Sequence, residues 1–399
     1  MIGAFSVRPA ESLPAPAAAP VGQRFTQRTV TTPSIAVVIP VHRGGPAFAR
    51  CLDAVARMRP RPAEVVVVVD GTDHGEGDLA RAKGVRVVRT PHRCGPAVAR
   101  NLGAAATASD VVFFLDADVL ARPTVIAEAA SYLAARPDVQ AVIGSYDDAP
   151  PETNFASQYK NLLNHFMHQR ARVRGHTFWG ACGLVRRDAF DALGGFLESY
   201  DRPCIEDIEF GYRLRAAGGS IHVVKTLQVT HMKRWGWRSL LRADVFFRAL
   251  PWSELILLTR HMQNDLNVDV AARVKVALTG AATAMATAAL VTASAAAAGW
   301  AVALCLAALA LDWPLWRFLA ERRDAWFAVR TMPWHAFYHF YSGAAFAVAA
   351  VRHLATTPRR WRARRLGEPL RGHTNVRLPR TAPPGQPDAR PTRDPRART

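Results

Sequence analysis

Four short apolar runs set the rhythm of the first part of the chain. They are Ile35–Ile39 before Pro40, Val65–Val69 before Asp70, Val85–Val88 around one arginine, and Val111–Leu115 between Asp110 and Asp116. Runs this short and β-branched, with no polar alternation, predict strands buried on both faces. Between the first two, Phe48, Leu52, Val55 and Met58 recur at helical spacing. Before the fourth, Gly95-Pro96 places a proline in the first turn of a helix running through Asn101 and Leu102. Strands alternating with helices predict an α/β fold with a doubly wound, mostly parallel sheet.

The pattern changes further on. From Val276 to Leu311 no charged residue occurs, and Ala, Val and Leu dominate. That is too long for one membrane span and suits two short ones, with a break near Ala298-Gly299-Trp300. Arg273 and Lys275 before it, and Arg317, Arg322 and Arg323 after it, place both ends of such a hairpin in the cytoplasm. A second apolar segment, Phe337–Leu354, reads as an interfacial or re-entrant helix, or as a span paired with another around Trp313–Val329. Trp235–Trp252 mixes aromatics with arginine, as an interfacial helix or a core helix with a basic face would. The predicted organisation is a disordered segment 1–33 rich in Ala and Pro, a sheet domain 34–260, a membrane-associated helical region 261–355 and a basic disordered tail 356–399.

The 399 residues include 51 Lys and Arg against 32 Asp and Glu, a formal net charge of +19. Such an excess calls for an anionic partner: nucleic acid, acidic lipid or a nucleotide. Because Arg359, Arg360, Arg362, Arg364 and Arg365 cluster beyond the apolar segments, lipid is favoured and no nucleic-acid partner is expected. The five cysteines show no CxxC spacing, which argues against a disulfide framework or a cysteine-bound zinc and for a reducing compartment. No signal peptide is read at the start. A multi-pass inner-membrane protein with a cytoplasmic catalytic domain is the expectation.

Asp116-Ala117-Asp118 ends the fourth strand. Ligands sit at the carboxyl ends of strands in such sheets, and two carboxylates there suit a hard divalent cation shared with a phosphate. An ordinary acidic turn would look the same. Asp70 could accept hydrogen bonds from a nucleoside, or simply open a turn. Neither GxGxxG nor GxxxxGK[ST] follows the first strand, which disfavours a dinucleotide site and a P-loop.

Ile39-Pro40-Val41-His42, Asp70-Gly71-Thr72-Asp73, Gly95–Gly103 with Arg100 and Asn101, and Asp116-Ala117-Asp118 stand in the order and spacing of family 2 glycosyltransferases. Gly180–Gly183 with Arg187, Phe190 and Gly194-Gly195-Phe196 is similar to that family's acceptor-side segment. Glu206-Asp207-Ile208-Glu209 through Arg213 is similar to its acidic catalytic motif. The chain thus resembles the family over residues 34–250. The resemblance implies the GT-A fold and inverting, metal-dependent sugar transfer from a nucleotide-diphosphate sugar to a lipid-linked or membrane-proximal acceptor. It places Asp118 on a divalent metal (Mn²⁺ or Mg²⁺), with His231 completing that site after a strand-like run. Asp116 would reach the ribose or a metal-bound water, and Asp70 the base. Pro40 and Val41 would line the nucleoside pocket, and Arg100 would meet the nucleotide or be a surface cation. Asp207 would be the general base, with Gly180, Glu206 and Glu209 on the acceptor side.

A carboxylate at a helix N-terminus is held as the anion and is a weak base, so Asp207 needs its pKa raised by its neighbours. Arg234-Trp235 resembles the end of the QxxRW motif of processive synthases, but His231 stands where the glutamine is required, so processive synthesis is not expected. Two other readings remain. A nucleotidyltransferase making a nucleotide sugar uses the same carboxylate logic, and a non-catalytic membrane scaffold could keep a nucleotide-binding fold.

Overall fold

The computed structural model describes Phe25 and residues 32–365, with side chains through residue 355. The expected disorder of 1–33 and of the basic tail lies almost wholly outside the described residues. The chain begins β1 (Ile35–Val41), α1 (Gly45–Ala56), β2 (Glu64–Val69), α2 (Glu76–Ala82), β3 (Arg86–Arg89), α3 (Pro96–Ala105), β4 (Val111–Leu115) and β5 (Val119–Ala121). It continues α4 (Val125–Ala134), β6 (Ala141–Tyr146), α5 (Phe155–Arg170), β7 (Arg174–Gly175), β8 (Cys182–Arg186), α6 (Arg187–Ala192), α7 (Glu206–Ala216) and β9 (Ile221–His231). Helices follow: α8 (Trp237–Asp244), a π-helical turn, α9 (Leu250–Thr259), α10 (Val270–Thr292), α11 (Ala295–Leu311), α12 (Trp313–Arg322) and α13 (Ala325–Arg365).

The sheet runs β3-β2-β1-β4-β8-β6-β9-β5, with β7 added to β9. The β1 to β4 portion is parallel, as the four apolar runs predict. Beyond it β8 enters antiparallel between β4 and β6, so the complete sheet is mixed. Side chains alternate between two faces along each strand. Val37, Ile39, Val67, Phe113 and Leu115 pack with Phe48, Leu52 and Leu133 on one side. Val38, Val66, Val68, Val112 and Phe114 pack on the other. There Phe114, Phe178, Phe190, Phe196 and Phe210 form a ring cluster, with Phe114 and Phe196 centroids 5.1 Å apart. That cluster seats α6 and α7 under the sheet.

The apolar stretch does form a helical hairpin, but the break falls at Ala293-Ser294, where the Ser294 side chain accepts from Ala297 N. Ala298–Trp300 lie inside α11. The reason is local: alanine favours helix and one glycine does not end it, whereas Ser294 caps. Among the described residues α10 alone is long and apolar enough to cross a membrane, and α11 with α12, bent by 57°, would make a second. Phe337–Leu354 is part of the 41-residue α13 and adds no further span. A multi-pass arrangement therefore finds no support beyond these elements.

Candidate active site

Because β1, β2 and β4 are parallel, the residues following them share one edge of the sheet. His42, Asp70 and Asp116 stand there. β8 runs the other way, and Cys182 pairs with Leu115, so the preceding Gly180-Ala181 reaches the same edge. β9 ends opposite β5 with His231 paired to Val119, which brings His231 beside Asp118. His42, Asp70, Asp116, Asp118, Ala181 and His231 line a cavity of about 680 Å³, within the range of small-ligand sites. Pro40, Val41, Asp70, Arg100, Asp116, Asp118, Glu206, Asp207 and His231 all border it.

Asp70 is buried and already engaged. Its Oδ1 accepts from Thr90 Oγ1 (2.9 Å) and Cys94 N (2.7 Å), and its Oδ2 from Gly95 N (2.9 Å). Gly95 has φ of +91°, and a Cβ there would lie 2.6 Å from the Asp201 carbonyl carbon, so only glycine brings this N–H to Asp70. Asp70 thus fixes the turn that launches α3. With about four lone-pair sites on a carboxylate, little capacity is left for a ligand.

Arg100, on α3, is neither a surface cation nor free to grip a nucleotide. It is 4 % exposed, donates through Nη1 to Glu206 Oε1 (2.8 Å) and through Nη2 to Asp116 Oδ1 (2.9 Å), and its buried Nε has no partner among the described residues. Burial alone would disfavour its charge, but Asp116, Glu206 and Asp207 hold it firmly protonated. Gly180 makes room for it: a Cβ at that position would meet the guanidinium carbon at 2.8 Å.

Asp118 Oδ2 and His231 Nε2 face each other at 3.6 Å. His231 is buried and stacks on Tyr146 at 4.4 Å, and its Nδ1 lies 2.8 Å from Asn161 Oδ1. Asn161 Nδ2 donates to Ser157 O (3.0 Å), which fixes the amide so that its oxygen faces the ring. Nδ1 therefore carries a hydrogen, and Nε2 is the ring nitrogen turned toward the carboxylate. A carboxylate oxygen and an imidazole nitrogen facing each other, with an outer partner orienting the ring, is the donor set of a cation site. The residues present fit a divalent ion.

Asp207 is partly buried at the start of α7. Its Oδ2 accepts from Gly180 N (2.9 Å) and its Oδ1 from Ile208 N (2.8 Å). Burial and the neighbouring Glu206 push its carboxyl up to about 6, against the pull of Arg100. Glu209, expected beside it, is elsewhere. It is 2 % exposed, does not border the cavity, and forms a two-pronged pair with Arg213 (2.7 and 3.0 Å). Arg213 in turn holds the Leu193 and Gly195 carbonyls. Residue spacing explains the misplacement: on a helix Glu209 points about 200° away from Asp207 and toward Arg213 four residues on.

Three contributors were not singled out in the sequence. Asn161, Lys160 and Arg248 reach the site from α5 and from the helices after β9. Lys160 Nζ pairs with Asp244 (2.9 and 3.0 Å), as does Arg248 Nη1 (2.9 Å), and Tyr341 of α13 donates to the same carboxylate (3.0 Å). The one available signal was a polar triplet lying against the apolar Leu162-Leu163 of a helix.

Residues 36–194 match the model of the family described as glycosyl transferase family 2. The pre-mycofactocin glycosyltransferase of Mycobacterium tuberculosis is 28% identical over 222 residues, covering 53% of this chain and 46% of that protein. Glycosyltransferase GlyG of Streptococcus pneumoniae is 25% identical over 117 residues, covering 28% of this chain and 38% of that one. The chain thus spans less than half the length of these curated relatives. Among solved structures, a mannosyltransferase, PcManGT from Pyrobaculum calidifontis, is similar in fold, with a TM-score of 0.51 at 20% identity, over 82% of this chain and 91% of that one. The match to glycosyl transferase family 2 thus lies in residues 36–194, within a fold similar to that of the solved mannosyltransferase.

Proposed function

We propose that the protein transfers a sugar, with inversion and without processive elongation, from a nucleotide-diphosphate donor to an acceptor at a membrane surface. The observation that carries this is the division of one cavity: the Asp118–His231 pair suited to a cation at one place, and Asp207 with its carboxyl near 6 at another. A divalent ion held by Asp118 and His231 would neutralise charge on the leaving diphosphate. Asp116, tethered by Arg100 and still about one-third exposed, would face the ribose or the ion's water. Pro40 and Val41 would bound the nucleoside, with Asp70 shaping that pocket through its turn. Asp207, held toward the cavity by two backbone N–H groups, would take the acceptor hydroxyl proton as the bond to the anomeric carbon forms. Inversion follows from a single displacement using one base. The solved mannosyltransferase of similar fold is a complex with GDP-Man and Mn²⁺, which is in keeping with this reading.

The membrane side of the proposal rests on α10 and on apolar side chains left in the open. Leu290, Val291 and Trp300 at the tip of the hairpin are 87%, 80% and 64% exposed. Surfaces of that kind call for a partner, and lipid fits an uncharged hairpin. The test is a panel of nucleotide sugars incubated with the full chain and Mn²⁺ or Mg²⁺. Metal-dependent donor hydrolysis that Asp118→Ala abolishes supports the proposal. Full activity of Asp118→Ala or Asp207→Asn sinks it, and turnover only with a nucleoside triphosphate and a sugar phosphate would favour the nucleotidyltransferase.

A further inference from the structure

We propose that Asp312, His335 and His339 form a second metal site, for a divalent ion of the zinc class, buried among the C-terminal helices and separate from the donor cavity. Asp312 sits at the corner where α11 turns into α12. His335 and His339, four apart on α13, share one face of that helix. Their Nε2 atoms converge on Asp312 Oδ2 at 3.4 and 3.0 Å, and one ligand atom from each of the three residues lies within 4.8 Å of the others. All three side chains are almost fully buried.

The spacing separates two readings. Hydrogen-bonded N–H···O pairs centre near ~2.9–3.0 Å, whereas the edge of a tetrahedron with zinc–ligand bonds of ~2.0–2.1 Å is about 3.3 Å. The His335 contact at 3.4 Å is long for the first and fits the second, while the His339 contact at 3.0 Å has the length of a hydrogen bond. The outer contacts also match a metal centre, whose ligands are themselves hydrogen-bonded. His335 Nδ1 lies 2.7 Å from Tyr159 Oη on α5, and Asp312 Oδ1 accepts from Lys275 Nζ (2.5 Å) on α10. Lys275 thus occupies the carboxylate oxygen that faces away from the imidazoles. A plain Lys275–Asp312 ion pair accounts for that oxygen, but not for two imidazoles aimed at the other.

Among the described residues, the buried His339 Nδ1 has no hydrogen-bond partner. A cavity of about 320 Å³ bordered by Asp312 and His339 has room for the water that would complete four-coordination. The donor set of two imidazoles and a carboxylate suits zinc and its neighbours better than calcium or magnesium. An ion here would fasten α13 to the α11–α12 corner and, through Tyr159, to the helix that also carries Asn161.

The experiment uses the full chain in detergent, purified without chelator, with metal content measured by mass spectrometry. A tightly held ion should persist in Asp118→Ala and be lost in the double variant His335→Ala/His339→Ala. Cobalt added to metal-stripped Asp118→Ala, in which the donor site does not contribute, should give the strong visible bands of a four-coordinate complex, and stripping should lower Tm. Retention of the ion by the double variant overturns the proposal. So does an Asp118→Ala protein that holds no ion and gives only the weak spectrum of hydrated cobalt. The cobalt spectrum of Asp118→Ala needs no change at either histidine of the site, so it decides even if the double variant fails to fold. Because Asp118→Ala is the reference, failure here leaves the donor-site reading untouched.

Discussion

The cavity holds two carboxylate pairs, Asp116 with Asp118 and Glu206 with Asp207, and Arg100 takes one member of each. Asp116 and Glu206 spend their charge on its guanidinium, which leaves Asp118 and Asp207 for ligands. The two that remain then diverge. Asp118 looks across at Nε2 of His231, a setting for a cation. Asp207 is crowded by burial and by Glu206 until its carboxyl sits near 6, a setting for a proton. Neighbours, not residue type, divide the work. Without the fixed charge of Arg100, four carboxylates would crowd one pocket and none would have a defined role.

The largest disturbance should come from Arg100→Met. It strands Asp116 and Glu206 without their partner, which should cost about 3–5 kcal/mol of stability and remove transfer, read by denaturant unfolding and by product formation. Lysine at this position should not restore activity, because an ammonium cannot span two carboxylates as the fork does. Next in size, Asp118→Ala and Asp207→Asn should each lower turnover by at least about 10²-fold, and they should differ in kind. The first should weaken Mn²⁺-dependent donor binding, while the second should leave it intact; equal loss of binding in both would erase the distinction drawn here.

The pH profile sharpens the contrast further. Asp207 is protonated below about 6 and cannot accept a proton there, so kcat/KM should rise with pH through about 6 and then level. A profile flat from 5 to 8 would remove Asp207 as the base. The smallest expected effect is Asn161→Leu, which frees the tautomer of His231. It should weaken Mn²⁺ affinity about 10–100-fold, measured by titration in the presence of nucleoside diphosphate, while the unfolding midpoint changes little. Unchanged metal affinity would mean that Asn161 does not hold the imidazole in its ligating form.

In the parallel part of the sheet β1, β2 and β4 were legible because they are short, β-branched and apolar on both faces, while the edge strand β3, Arg86–Arg89, is only partly buried. β6 and β8 were not singled out: Gly144 and Gly183 interrupt short runs whose apolar character resembles a loop. The edge carboxylates could be read from their position after strands. Arg100's partners could not, since Asp116 and Glu206 lie 16 and 106 residues away and only the folded sheet brings them together. Glu209 was misplaced although its spacing to Arg213 was visible; a helical wheel would have turned it away from Asp207. The helical hairpin was legible from composition, but its break was read from Ala298-Gly299-Trp300, whereas the capping Ser294 sets it.

Tyr159, Lys160 and Asn161 are consecutive on α5, so each points about 100° from the last. They grip His335 on α13, Asp244 on α8 and His231 on β9. On the same helix, Leu162 and Leu163 pack with Leu315, Trp316, Leu319 and Phe327. A truncation ending before α10 would therefore not release an autonomous enzyme. It would bare one flank of α5 as a greasy surface and loosen the histidine at the other end of the same turn, making a shortened form prone to aggregate and weak in metal at once.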